Sequence, residues 1–152
     1  MNEKPLSKAT PSPRADYQWF SPLQTRWSDN DLYGHVNNVT YYAYFDSVIN
    51  RFLIEQGGLD IHQGDQIGFI VESKCVYFQP VAYPQQLECG FRVNRLGGSS
   101  VDYELAIFTL DGAFSVATGR MTHVFVDRET QKPKAISGKL RNALSSQMPK
   151  SD

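Results

Sequence analysis

The chain has 152 residues, enough to close one hydrophobic core, and at 41% hydrophobic and 12% aromatic it is too apolar for an intrinsically disordered protein. Fifteen basic against sixteen acidic residues leave a net charge of −1, without the basic excess of a nucleic-acid binder. Its two cysteines, Cys75 and Cys89, show no CxxC or Cys/His spacing, which excludes a disulfide framework and a zinc site.

In chain order, residues 1–16 are rich in Pro, Ser and charge and are expected to form a flexible tail. From Tyr17 to Trp27 apolar residues alternate around Pro22, which predicts an edge strand. A polar segment, RWSDNDLYGHVNNVTY from Arg26 to Tyr41, ends it. Beyond it the period changes: Tyr41, Phe45, Val48 and Phe52 fall on one stripe, widened by Tyr42, Ile49 and Leu53. That pattern predicts one long helix over 36–56, about five turns, stopped by Gly57-Gly58.

Four runs rich in β-branched and aromatic residues follow, at roughly 67–79, 86–96, 99–110 and 113–126. Gly97-Gly98 and Asp111-Gly112 are two-residue hairpin signals, so the last three runs are expected to form an antiparallel meander. The prolines of Gln79-Pro80 and Tyr83-Pro84 separate the first run from the second. The fold class is therefore α+β: a five-stranded antiparallel sheet wrapped around a central helix, in one domain over 17–130. Residues 131–152 are expected to be a peripheral C-terminal tail, with a short helical stretch over Lys139–Leu144. No apolar run approaches the ~18 residues of a membrane span, and the opening segment has no apolar core, so a cytoplasmic protein without membrane attachment is expected.

The polar segment has three readings. A calcium loop starting at Asp29 would place Asp31 and Gly34 correctly, but it puts Tyr33 at the fifth ligand position and Thr40 at the twelfth, which excludes it. A helix cap is well served, because Asn37 or Asn38 can accept a backbone amide and Asp31 lies near the positive end of the helix. The third reading is catalytic. Free amides at a helix N-terminus can polarise a carbonyl, and a carboxylate beside them can attack it or activate a water.

Asp29-Asn30-Asp31-Leu32-Tyr33-Gly34-His35-Val36-Asn37-Asn38, preceded by Arg26 and followed by Tyr41, resembles the signature of hotdog-fold acyl-CoA thioesterases of the 4-hydroxybenzoyl-CoA thioesterase family. The GHVNN form is similar to the long-chain acyl-CoA thioesterase branch. The order of strand, motif, helix and meander over about 17–127 is also similar to that family.

The resemblance implies a hotdog fold and hydrolysis of an acyl-CoA to free acid and CoA without a cofactor or metal. It marks Asp31 as the catalytic carboxylate, either nucleophile or general base. Gly34 and His35 would lie against the thioester, amides from Val36 to Asn38 would polarise its carbonyl, and Asn38 would join the catalytic group. Tyr33, Val36, Tyr41 and Phe69 would line the acyl site. Arg95, Ser99 and Ser100 stand where relatives bind the coenzyme, with Lys74, Arg92, Arg120 and Lys139 as further cations; relatives with several basic residues in that loop differ from this chain, which has Gly97-Gly98. Asp46 is an alternative base on the helix. The implied partners are the acyl-CoA substrate and further copies of the chain, as a homodimer or homotetramer. A hydratase or dehydratase on the same fold and a non-catalytic acyl-CoA-binding protein are the alternatives.

Overall fold

The computed structural model describes residues 9–149. Residues 1–8 of the expected N-terminal tail, and 150–152 at the other end, lie outside the described residues. Five strands and two helices follow in order: β1 (Trp19–Gln24), α1 (Thr40–Glu55), β2 (Gln66–Tyr77), β3 (Gln86–Leu96), β4 (Ser100–Thr109), β5 (Ala117–Asp127) and α2 (Gly138–Ser146). The strands form one antiparallel sheet in the order β1-β3-β4-β5-β2, with β1 and β2 at its edges. The expected meander is the centre of this sheet.

Helix α1 lies on one face of the sheet because seven of its side chains are apolar and point the same way. Tyr41, Tyr44, Phe45, Val48, Ile49, Phe52 and Leu53 are all buried, each contributing about 1.5–3 kcal/mol before the entropy of ordering is subtracted. Phe52 stacks on Phe91 of β3 at 4.3 Å, and Trp19 of β1 meets both edge-on. Gly119 of β5 admits the helix: a Cβ there would stand 2.4 Å from the Phe45 ring. The helix ends at Gly57-Gly58, where the Gly57 amide donates to the Phe52 carbonyl and Gly58 adopts φ +69°.

Four expectations needed correction. Residues 12–16, expected to belong to a flexible tail, are bound to the sheet: the Ser12 amide donates to Ser115, Pro13 bridges Phe114 and Arg14–Asp16 form a short 3-10 helix. The helix begins at Thr40, not Val36, because the amides of Val36 and Asn37 donate to Val81 and Asp29 outside it. The Asp111-Gly112 turn is not a two-residue hairpin: residues 110–116 form a longer connection, since Phe114 bridges to Pro13 and the Ser115 amide donates to Ser12. The segment after Lys132 is not peripheral to the core. Ile136, Leu140 and Leu144 are buried in it, and the Leu140 side chain rests against Gly57.

The other face of the sheet is partly covered by the chain's own start. Arg14 donates to the carbonyls of Gly112 and Thr109 and pairs with Glu88, and the Tyr17 ring packs on Phe20 and Phe108. Cys89 is buried in the core and Cys75 half-buried; both are free thiols.

Candidate active site

The segment between β1 and α1 is a small closed hairpin. Asn30 bridges Val36, the Asp31 amide donates to the His35 carbonyl (2.9 Å), and the Gly34 amide donates back to the Asp31 carbonyl (3.0 Å). Gly34 makes the reversal at φ +85°, a conformation that costs a glycine least. A Cβ at this position would meet nothing within 4 Å, so its glycine is required for the turn and not for space. The hairpin is tied down at its neck, where the Asn37 amide donates to the Asp29 carbonyl and the Val36 amide to the Val81 carbonyl in the β2–β3 connection.

The two aspartates of the segment have opposite environments. Asp29 is 2% exposed and its carboxylate is saturated. Oδ2 accepts the Tyr44 hydroxyl (2.6 Å) and the Arg26 amide (2.9 Å), while Oδ1 accepts the Arg26 guanidinium (3.0 and 3.2 Å). Burial alone would raise its pKa, but the bonds from Tyr44 and Arg26 outweigh that and hold it below the usual carboxylate value. Asp31 is half-buried; its Oδ1 accepts the Tyr33 amide at 2.9 Å, an Asx turn, and Oδ2 has no partner among the described residues. The carboxylate that is fully engaged is structural, and the one left open faces a cavity.

That cavity has a volume of about 400 Å³ and is lined by Asp31, Tyr33, His35, Val36, Asn38 and Tyr41, closed on the far side by Tyr77, Phe78, Gln79 and Pro80. Tyr41 and Tyr77 meet edge to face at 5.0 Å, and the Tyr77 hydroxyl donates to the Asn38 carbonyl at 2.9 Å, fastening β2 to the start of α1. The wall formed by residues 77–80 was not anticipated from the sequence. Its only signal there was the Gln79-Pro80 stop, which shows where a strand ends but not what it ends against.

Asn37 performs the cap: its Oδ1 accepts the Val39 amide (2.9 Å), although Val39 occupies the formal N-cap position. Of the three amides from Val36 to Asn38 expected to face a substrate, those of Val36 and Asn37 are consumed in holding the hairpin. The Asn38 amide has no partner among the described residues.

The remaining predicted residues stand elsewhere. Phe69 pairs with Val124, which pairs with Ser100, and all three lie on the sheet face opposite Phe125 and α1. Along β2 Phe69 is eight residues from Tyr77, roughly 26 Å, so within one chain it does not line this cavity. Arg95, Ser99 and Ser100 are at the β3–β4 turn, at the other end of β3 from the connection that carries Val81. Arg92 and Arg120 are bound to Glu104 (3.0 and 3.3 Å), which also accepts the Tyr17 hydroxyl at 2.7 Å. Asp46 is exposed, accepts Asn50, and does not border the cavity. Of the histidines only His35 lines it. His123 is buried, with Nδ1 2.9 Å from the Tyr103 hydroxyl, and burial lowers its pKa to about 4.

Residues 25–144 match the model of the thioesterase-like superfamily. The chain belongs to the thioesterase-like superfamily. This thioesterase-like protein is similar to the PA5185 protein of Pseudomonas aeruginosa strain PAO1, with 52% identity and a TM-score of 0.91 over 94% of this chain and 100% of that one. The PA2801 protein of Pseudomonas aeruginosa, described as a candidate thioesterase, is 26% identical with a TM-score of 0.76 over 82% of this chain and 95% of its own. A 1,4-dihydroxy-2-naphthoyl-CoA thioesterase from Synechocystis shares 15% identity and a TM-score of 0.75 over 83% of this chain and 94% of its own, a likeness of fold alone. The thioesterase-like chain has no helix among the described residues long and apolar enough to cross a membrane.

Proposed function

We propose that this protein is a hotdog-fold acyl-CoA thioesterase in which Asp31 is the catalytic carboxylate. One observation carries the reading: Asp31 has one oxygen fixed by the Tyr33 amide and the other without a partner among the described residues, and it lines one cavity with His35 and with Asn38, whose amide is likewise without a partner there. A thioester carbonyl lodged there would accept from the Asn38 amide. The free Asp31 oxygen either attacks the carbonyl carbon, expelling the CoA thiolate and leaving an anhydride that water opens, or takes a proton from a water that attacks in its place. Both routes consume one water and release an acid and a thiol.

The coenzyme-binding role of Arg95, Ser99, Ser100 and Phe69 requires a second copy of the chain, because no single chain brings them to Asp31. Strand β2 is the surface that fits such a copy. It is a twelve-residue edge without proline on which Ile70 and Val71 are 39% and 60% exposed, beside a bulge between Ile70 and Glu72 and the charges of Glu72 and Lys74, and its outer backbone groups are free to pair with another strand.

A hydratase reading is less well supported, since it pairs a histidine with a carboxylate and His35 is the only histidine at this cavity. The test is thiol release from a panel of short, long and aromatic acyl-CoAs. Asp31→Asn, which keeps the acceptor for Tyr33, should lower kcat by about 10²–10⁴. No thiol released by the parent, or equal rates in the variant, would overturn the assignment. A non-catalytic binder would instead retain acyl-CoA affinity in both, with no turnover in either.

A further inference from the structure

We propose that Tyr44 is a positioning residue for Asp31, acting through the buried carboxylate of Asp29. The inference rests on Asp31 being the catalytic group and concerns how helix α1 holds it in place.

The connection can be followed bond by bond. Tyr44 is one turn into α1, 7% exposed, with its ring against Tyr41 at 6.1 Å. Its hydroxyl donates to Asp29 Oδ2 at 2.6 Å. The other donors to that carboxylate all come from Arg26, three residues away in the same segment, so among the described residues Tyr44 is its one bond to another element of the fold. Asp29 in turn forms the neck of the hairpin, through its carbonyl and the Asn37 amide at 2.9 Å. Asp31 lies two residues further on and is held across the hairpin by His35.

Two residues span at most about 7 Å of chain, so a tilt at the neck reaches the Asp31 carboxylate with little damping. A misplacement of about 1 Å at a reacting group can cost on the order of 10² in rate. Helix α1 is anchored on the sheet by Phe45, Ile49 and Phe52, each at most 1% exposed, which makes it the rigid reference against which a catalytic loop can be set. A purely structural role is the competing account: a buried carboxylate needs donors, and Tyr44 would then affect folding but not turnover per folded molecule.

Tyr44→Phe keeps the ring and removes only the hydroxyl. Expected is a fall in kcat of about 10–10² with KM unchanged, together with faster hydrogen exchange at the Asp31 and Asn37 amides and unchanged exchange in the last turns of α1. In an Asp29→Ala background, which removes the acceptor of the Tyr44 hydroxyl, the same substitution should add nothing, because the two act along one path. Losses that add, or a Tyr44→Phe enzyme with parental kcat and parental exchange at Asp31 and Asn37, would overturn the proposal. Should the double variant fail to fold, the exchange rates of Tyr44→Phe decide by themselves. A parent with no thioesterase activity would refute the functional reading instead, and the exchange measurement would still test the mechanical link.

Discussion

His123 makes a sharp prediction about acid stability. The ring is packed edge-on against Tyr103 at 5.2 Å and Phe125 at 5.6 Å, and on the adjoining strand Gly68 leaves no side chain between. Burial lowers its pKa from 6.5 to about 4, so the folded protein resists protonation while the unfolded chain accepts it. Above pH 6.5 both states are neutral and stability is at its plateau; as pH falls toward 4 the unfolded state binds the extra proton and stability is lost. The full gap is worth about 3.4 kcal/mol at roughly 1.36 kcal/mol per pH unit, and about 2 kcal/mol of it is lost by pH 5. Asp29 and Glu104, where burial is outweighed by hydrogen bonds, are held below their ordinary values of 3.8 and 4.5, so their contributions fade mainly below pH 5. Urea unfolding at pH 7.5 and pH 5 should therefore show the midpoint falling by about 1 M, taking a slope near 2 kcal/mol/M. His123→Gln, whose amide can still partner the Tyr103 hydroxyl, should lose most of that pH dependence. An unchanged midpoint in the parent, or an equal shift in the variant, would refute the account.

Two further outcomes test the fold. Leu144→Ala removes a fully buried side chain from α2 and should cost about 2–5 kcal/mol in chemical denaturation; a cost within error of zero would mean that the C-terminal segment is not part of the core. Val71→Lys places a charge on the open edge of β2 and should shift the protein toward monomer in sedimentation, with loss of thioesterase activity if the site is shared between copies.

The strand layout was legible because it is set locally. Alternation of apolar residues marks a strand facing a core, and glycine or proline stops mark its ends, so the bounds of β2, β3 and β5 could be read to within a few residues apart from the start of β5. That start was misjudged because Phe114 and Ser115 are captured by Pro13 and Ser12, about a hundred residues away in sequence. The start of α1 was misjudged for the same kind of reason: the apolar stripe begins only at Tyr41, and ahead of it the amides of Val36 and Asn37 are taken by Val81 and Asp29.

The sequence by itself determined the periodicities, the turn chemistry and the concentration of polar residues in one short segment, all consequences of what neighbouring residues can do. Only the tertiary structure decided which of the two aspartates is engaged. As residue types Asp29 and Asp31 are alike; Asp29 takes three bonds from the nearby Arg26, and its saturation is completed by Tyr44, fifteen residues beyond it on a helix. The far wall of the cavity, residues 77–80, also comes from a distant strand, which no local pattern near the motif could specify.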